Sequence, residues 1–301
     1  MELHPLCLAD RNKINSYLKK FPPVISELTF TNLFAWRKSR EILWSELADT
    51  LFFFTRDQDG LILLGNPIGP APLSSLINRI DSPLVGIDRF PQSQLKTVDR
   101  HQAEISQDRN NADYVYRVDN LALLAGKSFI KKRNHVNKCL KNYNCEYAII
   151  SSDNIDQCRR MQIDWCAVRE CGINPGLCDE YQAINEVFDH YEQLELIGGA
   201  ISIDNRVMAF TIGEALNPTT AVCHFEKAMP EIDGLGQLIN QWFSKYSLNG
   251  FTYVNREQDL GIAGLRKAKE SYCPDHLVEK VKISFTTNRR AKENKLIRCA
   301  E

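Results

Sequence analysis

Apolar positions along the chain follow two spacings, one typical of strands and one typical of helices. An apolar run at 221–226 ends before Met229-Pro230 and predicts a buried strand. Apolar residues then recur at helical spacing, at positions 235, 238, 239, 242, 243 and 246. A second apolar run at 251–254 predicts another strand. This part of the chain therefore predicts a strand, a glycine turn, a helix and a strand.

Five polar residues, 255–259, follow the second of these strands. Ligands of open α/β sheets lie beyond the carboxyl ends of strands, so this cluster, Glu226 and the glycine turn are expected to face one crevice. The first N–H groups of a helix have no internal acceptor, and glycines let a ligand approach them closely. We therefore predict a phosphate-binding turn, formed by Gly234, Leu235, Gly236 and Gln237. The alternative is structural, with Asp259 as a helix N-cap and Arg256 as the partner of a carboxylate.

The first half of the chain contains the same order of predicted elements. Apolar runs at 51–54 and 61–64 flank an Asp-Gly step and predict a hairpin, followed by a short helix over 73–80 and a strand over 84–87. The second half has its own predicted hairpin, at 197–203 and 207–212, before the strand, turn and helix. Two copies of one α/β fold with mixed sheets are therefore expected.

These two copies give the predicted domains. The first covers residues 1–125, the second covers 126–285, and a basic tail over 286–301 is expected to be disordered. Three prolines between Gly65 and Pro72 remove N–H donors that a phosphate would need. We therefore expect the first domain to be structural and the second to carry the site. A last strand is predicted over 277–285.

Residues 127–141, between the two copies, predict a helix with one basic face. Its apolar stripe contains Phe129, Val136 and Leu140, and the other side carries Lys127, Lys131, Lys138 and Lys141. Such a face can bind the phosphates of a nucleotide or a tRNA, and Lys131 and Arg133 are the candidate residues. An ordinary solvated helix face is the alternative. Because Leu121 stands where a P-loop has its leading glycine, ATP binding at Gly126-Lys127-Ser128 is not predicted.

Several of these motifs resemble known proteins. The strand, glycine turn, helix and following strand are similar to the acyl-CoA-binding core of the GNAT N-acyltransferases. Segments 255–261, 264–269 and 131–135 more specifically resemble the bacterial family related to the C-terminal domain of phosphatidylglycerol lysyltransferase, whose relatives include the Fem-type aminoacyltransferases. The resemblance extends over roughly residues 20 to 285. It implies two tandem GNAT-like domains and transfer of an activated acyl group. The usual GNAT loop begins with a basic residue or glutamine, whereas Glu231 or Ile232 stands near that place here.

Acyl transfer by direct attack needs a bound activated acyl group, a donor that polarises its carbonyl, and a base. The predicted catalytic residues are Glu226, Glu257 and Asp259, and the predicted substrate-binding residues are Asn255, Arg256, Arg266 and Lys269. The donor is expected to be a CoA thioester or an aminoacyl-tRNA, with tRNA on the 127–141 helix, and the acceptor a small molecule or a lipid. No tightly bound cofactor and no metal site are predicted. A non-catalytic ligand-binding module with the same tandem fold is the alternative function.

Composition and charge further restrict the possible function classes. The chain has 301 residues, of which 44% are hydrophobic and 25% charged, as in ordinary globular proteins. A formal net charge of −1 gives no overall attraction to polyanions, so any contact with tRNA, or of the basic tail with a membrane, must be local. No stretch approaches the length of an apolar membrane span and no leader is visible, so a cytoplasmic protein is expected. The ten cysteines contain no C-x-x-C pair, which favours reduced structural thiols over zinc ligands.

Overall fold

The computed structural model describes residues 1–73, 79, 82–98, 103–169 and 175–285. The chain divides into two compact units, Met1–Ala112 with Val278–Glu301, and Asp113–Leu277. Most of the predicted helix over 73–80 and all of the predicted tail over 286–301 lie outside the described residues. No helix within the described ranges has both the length and the apolar character needed to cross a membrane.

A mixed sheet forms the centre of the first unit. Its seven described strands are β1 (His4–Pro5), β2 (Leu43–Leu47), β3 (Thr50–Asp57), β4 (Gly60–Leu64), β5 (Leu84–Pro91), β6 (Ala103–Gln107) and β14 (Lys280–Phe285). Their order is β1-β2-β3-β4-β5-β14-β6, and the one parallel pair is β4 with β5. The unit also contains α1 (Arg11–Lys20), α2 (Phe30–Ala35) and α3 (Arg37–Arg40). All of Leu51–Phe54 is buried, as expected of a strand covered on both faces.

A second mixed sheet forms the centre of the second unit. Its described strands are β7 (Asp113–Arg117), β8 (Cys145–Ile149), β9 (Ile197–Ile203), β10 (Arg206–Asn217), β11 (Thr220–Ala228), β12 (Tyr253–Asn255) and β13 (His276–Val278), in the order β13-β7-β12-β11-β10-β9-β8. Strands β11 and β12 are parallel. The helices are α4 (Val118–Leu123), α5 (Ile130–Asn142), α6 (Ile155–Val168), α7 (Pro175–Asp189), α8 (Tyr191–Leu194), α9 (Leu235–Tyr246) and α10 (Ala263–Glu270).

The two sheets share one strand order when the second is followed from β8. In each, the fourth and fifth strands form the parallel pair, and the sixth is β14 in the first sheet and β7 in the second. The sixth strands are exchanged along the chain, because β7 precedes the rest of its sheet and β14 comes after the second unit. A strand belongs to the sheet whose backbone groups it pairs with, whatever its place in the sequence.

This exchange corrects two predictions made from the sequence. The predicted boundary between 1–125 and 126–285 is misplaced, because β7 pairs with β12 and lies in the second unit. The predicted last strand over 277–285 is two strands separated at Glu279: β13 belongs to the second sheet and β14 to the first. Both predicted hairpins, β3 with β4 and β9 with β10, are confirmed.

A buried ion pair fixes β14 within the first unit. Lys280 Nζ donates to Glu27 at 2.8 Å from Oε1 and 2.6 Å from Oε2, and the two side chains are 0% and 1% exposed. Arg89 Nε lies 3.5 Å from the same Glu27 Oε1. Removing one member of such a pair leaves a buried charge without its main partner.

We therefore expect Lys280→Met to lower the free energy of unfolding by about 3–5 kcal/mol. Asp189→Asn, which removes the half-exposed partner of Arg159, is the control and should change it by less than about 1 kcal/mol. Urea unfolding followed by circular dichroism measures both. Equal effects of the two substitutions would contradict the assignment of Lys280 as a buried anchor.

Candidate functional site

Strands β11 and β12 separate soon after they meet. They pair only at Thr220–Val222 with Tyr253–Asn255, whereas β11 continues to Ala228. Gly213 opposes Cys223 and Ile212 opposes Phe225, so His224 is the extra residue of a β-bulge. Bulges redirect neighbouring side chains and are frequent beside functional sites. The residues beyond the bulge lie where β11 no longer has β12 beside it.

An ion pair joins the two strands at this separation. Glu226 Oε1 accepts a hydrogen bond from Arg256 Nη2 at 2.8 Å, and Glu226 Oε2 accepts one from Asn240 Nδ2, on α9, at 3.1 Å. The Arg256 guanidinium also lies 5.0 Å from the ring centre of Tyr272. The structure therefore brings together Glu226 and Arg256, which the sequence placed 30 residues apart.

Two polar atoms of this group have no partner among the described residues. Arg256 Nη1, a donor, and Asn240 Oδ1, an acceptor, are buried without a hydrogen bond. Each such atom costs about 1–3 kcal/mol, and buried polar atoms are rarely left unpaired. A molecule that presents both an acceptor and a donor would satisfy both atoms.

The predicted glycine turn starts α9 beside the end of β11. The N–H groups of Gly236 and Gln237 have no acceptor within the described part of the chain. A Cβ built on Gly236 would meet only Ala228 Cβ, at 4.0 Å, and Asn240 lies one turn further along the same face of the helix. These N–H groups are available to an anion next to the Glu226 pair.

Gly234 has a different role from Gly236. Its φ is +87°, and a Cβ there would lie 2.1 Å from the carbonyl oxygen of His135 on α5. Gly234 therefore allows α9 to pack against α5, and that side of the turn is closed to a ligand. Leu235 is fully buried.

A buried histidine links Glu257 to the sheet. His224 Nδ1 lies 2.8 Å from Glu257 Oε1 and Nε2 lies 2.9 Å from Glu214 Oε1, with the side chain 2% exposed. Burial alone lowers the pKa of His224, but the hydrogen bonds to Glu214 and Glu257 outweigh burial and raise it to about 9. His224 is thus a buried imidazolium at neutral pH. His224 was not predicted from the sequence as a site residue, although it stands two residues before Glu226 in the same strand.

Asp259 is saturated with donors. It accepts hydrogen bonds from Arg266 Nε at 2.7 Å and Nη2 at 2.8 Å, from Tyr114 Oη at 2.7 Å and from the Gly261 N–H at 2.8 Å. Burial raises the pKa of Asp259, but the bonds from Arg266 and Tyr114 outweigh it and hold the pKa well below its ordinary value. A carboxylate so stabilised is a poor proton acceptor. This geometry favours a structural role for Asp259 and Arg266.

Two further predicted residues, Asn255 and Lys269, fix the polar loop formed by residues 255–259. Asn255 donates through Nδ2 to Asp113 at 2.9 Å and accepts from the Glu257 N–H at 2.8 Å. Lys269 Nζ donates to the carbonyl oxygens of Arg256 and Glu257, and burial lowers the pKa of Lys269 to about 8. Glu257 itself has a φ of +56°, a strained value that these contacts maintain.

The residues of the basic helix differ in their contacts. Lys131 is exposed, and Arg133 Nη1 donates to the carbonyl oxygens of Gly126 and Leu124, closing the turn before α5. Lys132 instead is half-buried, with its ammonium 4.0 Å from the ring centre of Tyr272, the ring that Arg256 also contacts. Burial lowers the pKa of Lys132, and the charge of Arg256 lowers it further. Its spacing of four from the buried Val136 is the signal that could have identified it.

Among the described residues, no three His, Cys, Asp or Glu side chains come together in a way that could hold a metal ion. None of the eight described cysteines forms a disulfide.

Comparison with known proteins identifies the fold. The family described as phosphatidylglycerol lysyltransferase, C-terminal, matches residues 19–281. A conserved protein of unknown function from Bacteroides thetaiotaomicron VPI-5482 has a solved structure that is 30% identical, covers 95% of this chain and 100% of its own, and has a TM-score of 0.87.

More distant structures share the fold at low identity. The structure of L-PGS from Bacillus licheniformis has a TM-score of 0.67 at 12% identity over 93% of each chain. FemX has a TM-score of 0.62 at 8% identity over 97% of this chain and 99% of its own.

An uncharacterised protein of Mycoplasmoides gallisepticum is 20% identical over 173 residues, which are 57% of this chain and 55% of that protein, so the match spans about half of its length. The predicted α/β fold of two tandem GNAT-like domains is confirmed.

Gly234→Ala should lower the free energy of unfolding by about 2 kcal/mol or more, because alanine is strained at this φ and its Cβ would meet the His135 carbonyl. Gly236→Ala is the matched control and should be neutral or stabilising by up to about 1 kcal/mol, since its site is open and helical. Thermal unfolding compares the two, and similar values would contradict the packing role of Gly234.

His224 should make stability depend on pH. Its pKa is raised from 6.5 to about 9, so its stabilisation is complete below pH 6.5 and is lost as the pH rises through 9. We expect the difference in unfolding free energy between the parent protein and His224→Asn to shrink by about 3 kcal/mol over that range. Urea titrations at several pH values measure it, with the exposed His276→Asn as control. A difference independent of pH would exclude a buried imidazolium.

Proposed function

Because the chain belongs to the phosphatidylglycerol lysyltransferase C-terminal family, we propose that it transfers an activated acyl or aminoacyl group to an amine or a hydroxyl. The observation that carries this proposal is the Glu226–Arg256 pair, together with two atoms that have no partner among the described residues: Nη1 of Arg256 itself and Oδ1 of the adjacent Asn240. A spare donor and a spare acceptor beside a carboxylate are what a carbonyl group and an attacking nucleophile require.

The proposed reaction is a direct attack. The free N–H groups of Gly236 and Gln237 bind a phosphate of the donor, and Arg256 Nη1 donates to the acyl carbonyl oxygen as negative charge develops there. Glu226 accepts the proton of the attacking amine or hydroxyl as the new bond to the acyl carbon forms. The bond from the acyl carbon to the leaving sulfur or ribose oxygen then breaks, and the leaving group takes up the proton that Glu226 accepted, which restores the carboxylate. His224 holds the side chain of Glu257 by a hydrogen bond, and Glu257 is the residue directly after Arg256.

The donor is a CoA thioester or an aminoacyl-tRNA. The exposed ammonium groups of Lys127, Lys131 and Lys141 on or before α5 support tRNA, because they are available to its phosphates, whereas Lys138 is paired with Asp233 at 2.7 Å. The acceptor is a small molecule or a lipid. In either case the donor is a co-substrate and the protein itself needs no resident cofactor for the proposed step.

A non-catalytic binding module is the second candidate. The observation that favours it is the complete pairing of Asp259 with Arg266, Tyr114 and Gly261, which removes one of the three predicted proton acceptors. In this case the Glu226 pair would bind an acyl or aminoacyl ligand without turning it over.

Glu226→Gln separates the two candidates. Glutamine can still accept from Arg256 but cannot take a proton, so we expect donor binding to be retained and turnover to fall by about 10²-fold or more. Thermal stabilisation by aminoacyl-tRNA and by acetyl-CoA measures binding, and mass spectrometry of supplied amines and lipids measures transfer. Asp164→Asn, on the exposed face of α6, is the matched control and should change neither.

Three outcomes decide between them. Stabilisation by one donor together with transfer that Glu226→Gln abolishes supports the transferase. Stabilisation without transfer by the parent protein supports the binding module. If neither donor stabilises the protein, the proposed site is wrong.

A further inference from the structure

A cleft of about 530 Å³ opens in the first unit. Its walls include three arginines, Arg40 at the end of α3, Arg56 on β3 and Arg89 on β5. Glu41 and Asp88 also line it. The volume is within the range typical of small-molecule sites.

The charges around the cleft are not balanced. Asp88 Oδ1 lies 3.4 Å from Lys282 Nζ, and Glu27, the buried partner of Arg89, is already bonded through both oxygens to Lys280. The lining itself comprises three cationic side chains, Arg40, Arg56 and Arg89, and two carboxylates, Glu41 and Asp88. An excess of positive charge on the wall of a cleft attracts anions.

Arg40 is held in place by an aromatic ring. Its guanidinium lies 4.6 Å from the ring centre of Trp36, one turn earlier in the chain. A guanidinium stacked in this way loses little freedom on binding and presents a planar fork that matches a phosphate or carboxylate.

The backbone of Arg89 is unusual for a strand. Its φ is +57°, a left-handed value that is strained for arginine, and it lies in a β-bulge in which Asp88 and Arg89 oppose Lys282 of β14. Arg89 directly follows Asp88, the last residue of β5 paired with β4. Arg256 likewise directly follows Asn255, the last residue of β12 paired with β11. The two arginines therefore hold equivalent places in sheets of the same strand order, and each has a glutamate partner.

We propose that this cleft is a second binding site, in which Arg40, Arg56 and Arg89 hold the phosphate group of a small ligand. The three prolines of the 65–72 loop remove backbone donors, and the arginine side chains replace them. The phosphate belongs either to a soluble phosphomonoester or to a lipid head group. The site is independent of the proposed transfer chemistry, so its test does not rely on turnover.

Calorimetric titration of the full chain with glycerol 3-phosphate, at constant ionic strength, tests the site. We expect saturable binding, weakened about tenfold or more by Arg56→Gln and by Arg40→Gln, because each removes a charged donor. Arg56→Lys keeps the positive charge but loses the planar guanidinium. Its affinity for glycerol 3-phosphate should therefore lie between those of the parent protein and Arg56→Gln. Arg206→Gln, which removes a 75%-exposed arginine of the second unit, is the matched control and should bind as the parent protein does.

A second arm identifies the source of the phosphate. Sedimentation with phosphatidylglycerol vesicles, reduced by Arg56→Gln and by competing glycerol 3-phosphate, assigns the site to a lipid head group. Binding of glycerol 3-phosphate without vesicle binding assigns it to a soluble ligand.

Several results would overturn the proposal. These are absence of binding to both probes, binding unchanged in Arg56→Gln, or equal weakening by Arg206→Gln. Thermal unfolding of each variant checks its fold. Should Arg40→Gln disturb α3, the exposed Arg56 on β3 still decides the outcome.

Discussion

The Arg256–Glu226 ion pair occupies the place where two parallel strands stop pairing, and the candidate site depends on it. Burying a guanidinium is unfavourable unless its charge and its donors are satisfied. Glu226 supplies the charge and one acceptor, while the rings of Tyr116 and Tyr272 supply contacts at 5.6 Å and 5.0 Å. One nitrogen of Arg256, Nη1, has no partner within the ranges that the structure describes. The separation of β11 from β12 thus places Glu226 beside a donor and an acceptor that are unpaired within the described part of the chain.

The polar loop after β12 combines two kinds of ionic residue, which differ in how completely they are paired. Asp259 and Asn255 use their hydrogen-bonding atoms within the protein, and they fix the loop. Arg256 and Asn240, which both donate to Glu226, each keep one atom without a partner among the described residues. By residue type alone, Asp259 and Glu226 are equal candidates for a proton acceptor. A carboxylate whose acceptor positions are all used stabilises the fold, whereas an incompletely paired group can bind a ligand.

The two units show how one strand order can present different chemistry. Both sheets place an arginine directly after the fifth strand leaves its parallel neighbour. Arg256 meets a carboxylate from the adjoining strand β11, whereas Arg89 meets Glu27, which a lysine already neutralises. The same backbone position therefore gives a nearly neutral polar pair in one unit and a cationic cleft in the other, consistent with function residing in sites and not in folds.

The sequence by itself determined the local elements and the segments that carry polar chemistry. Hydrophobic spacing predicted both hairpins, α9 and the strands that flank it, and the 255–259 cluster was found because polar residues at a strand end stand out from the apolar run. These features depend on neighbours within a few residues. The tertiary structure alone decided the exchange of β7 and β14 and the link from His224 to Glu214 and Glu257. Each of these depends on backbone pairing or burial between distant segments, for which a single sequence carries no local signal.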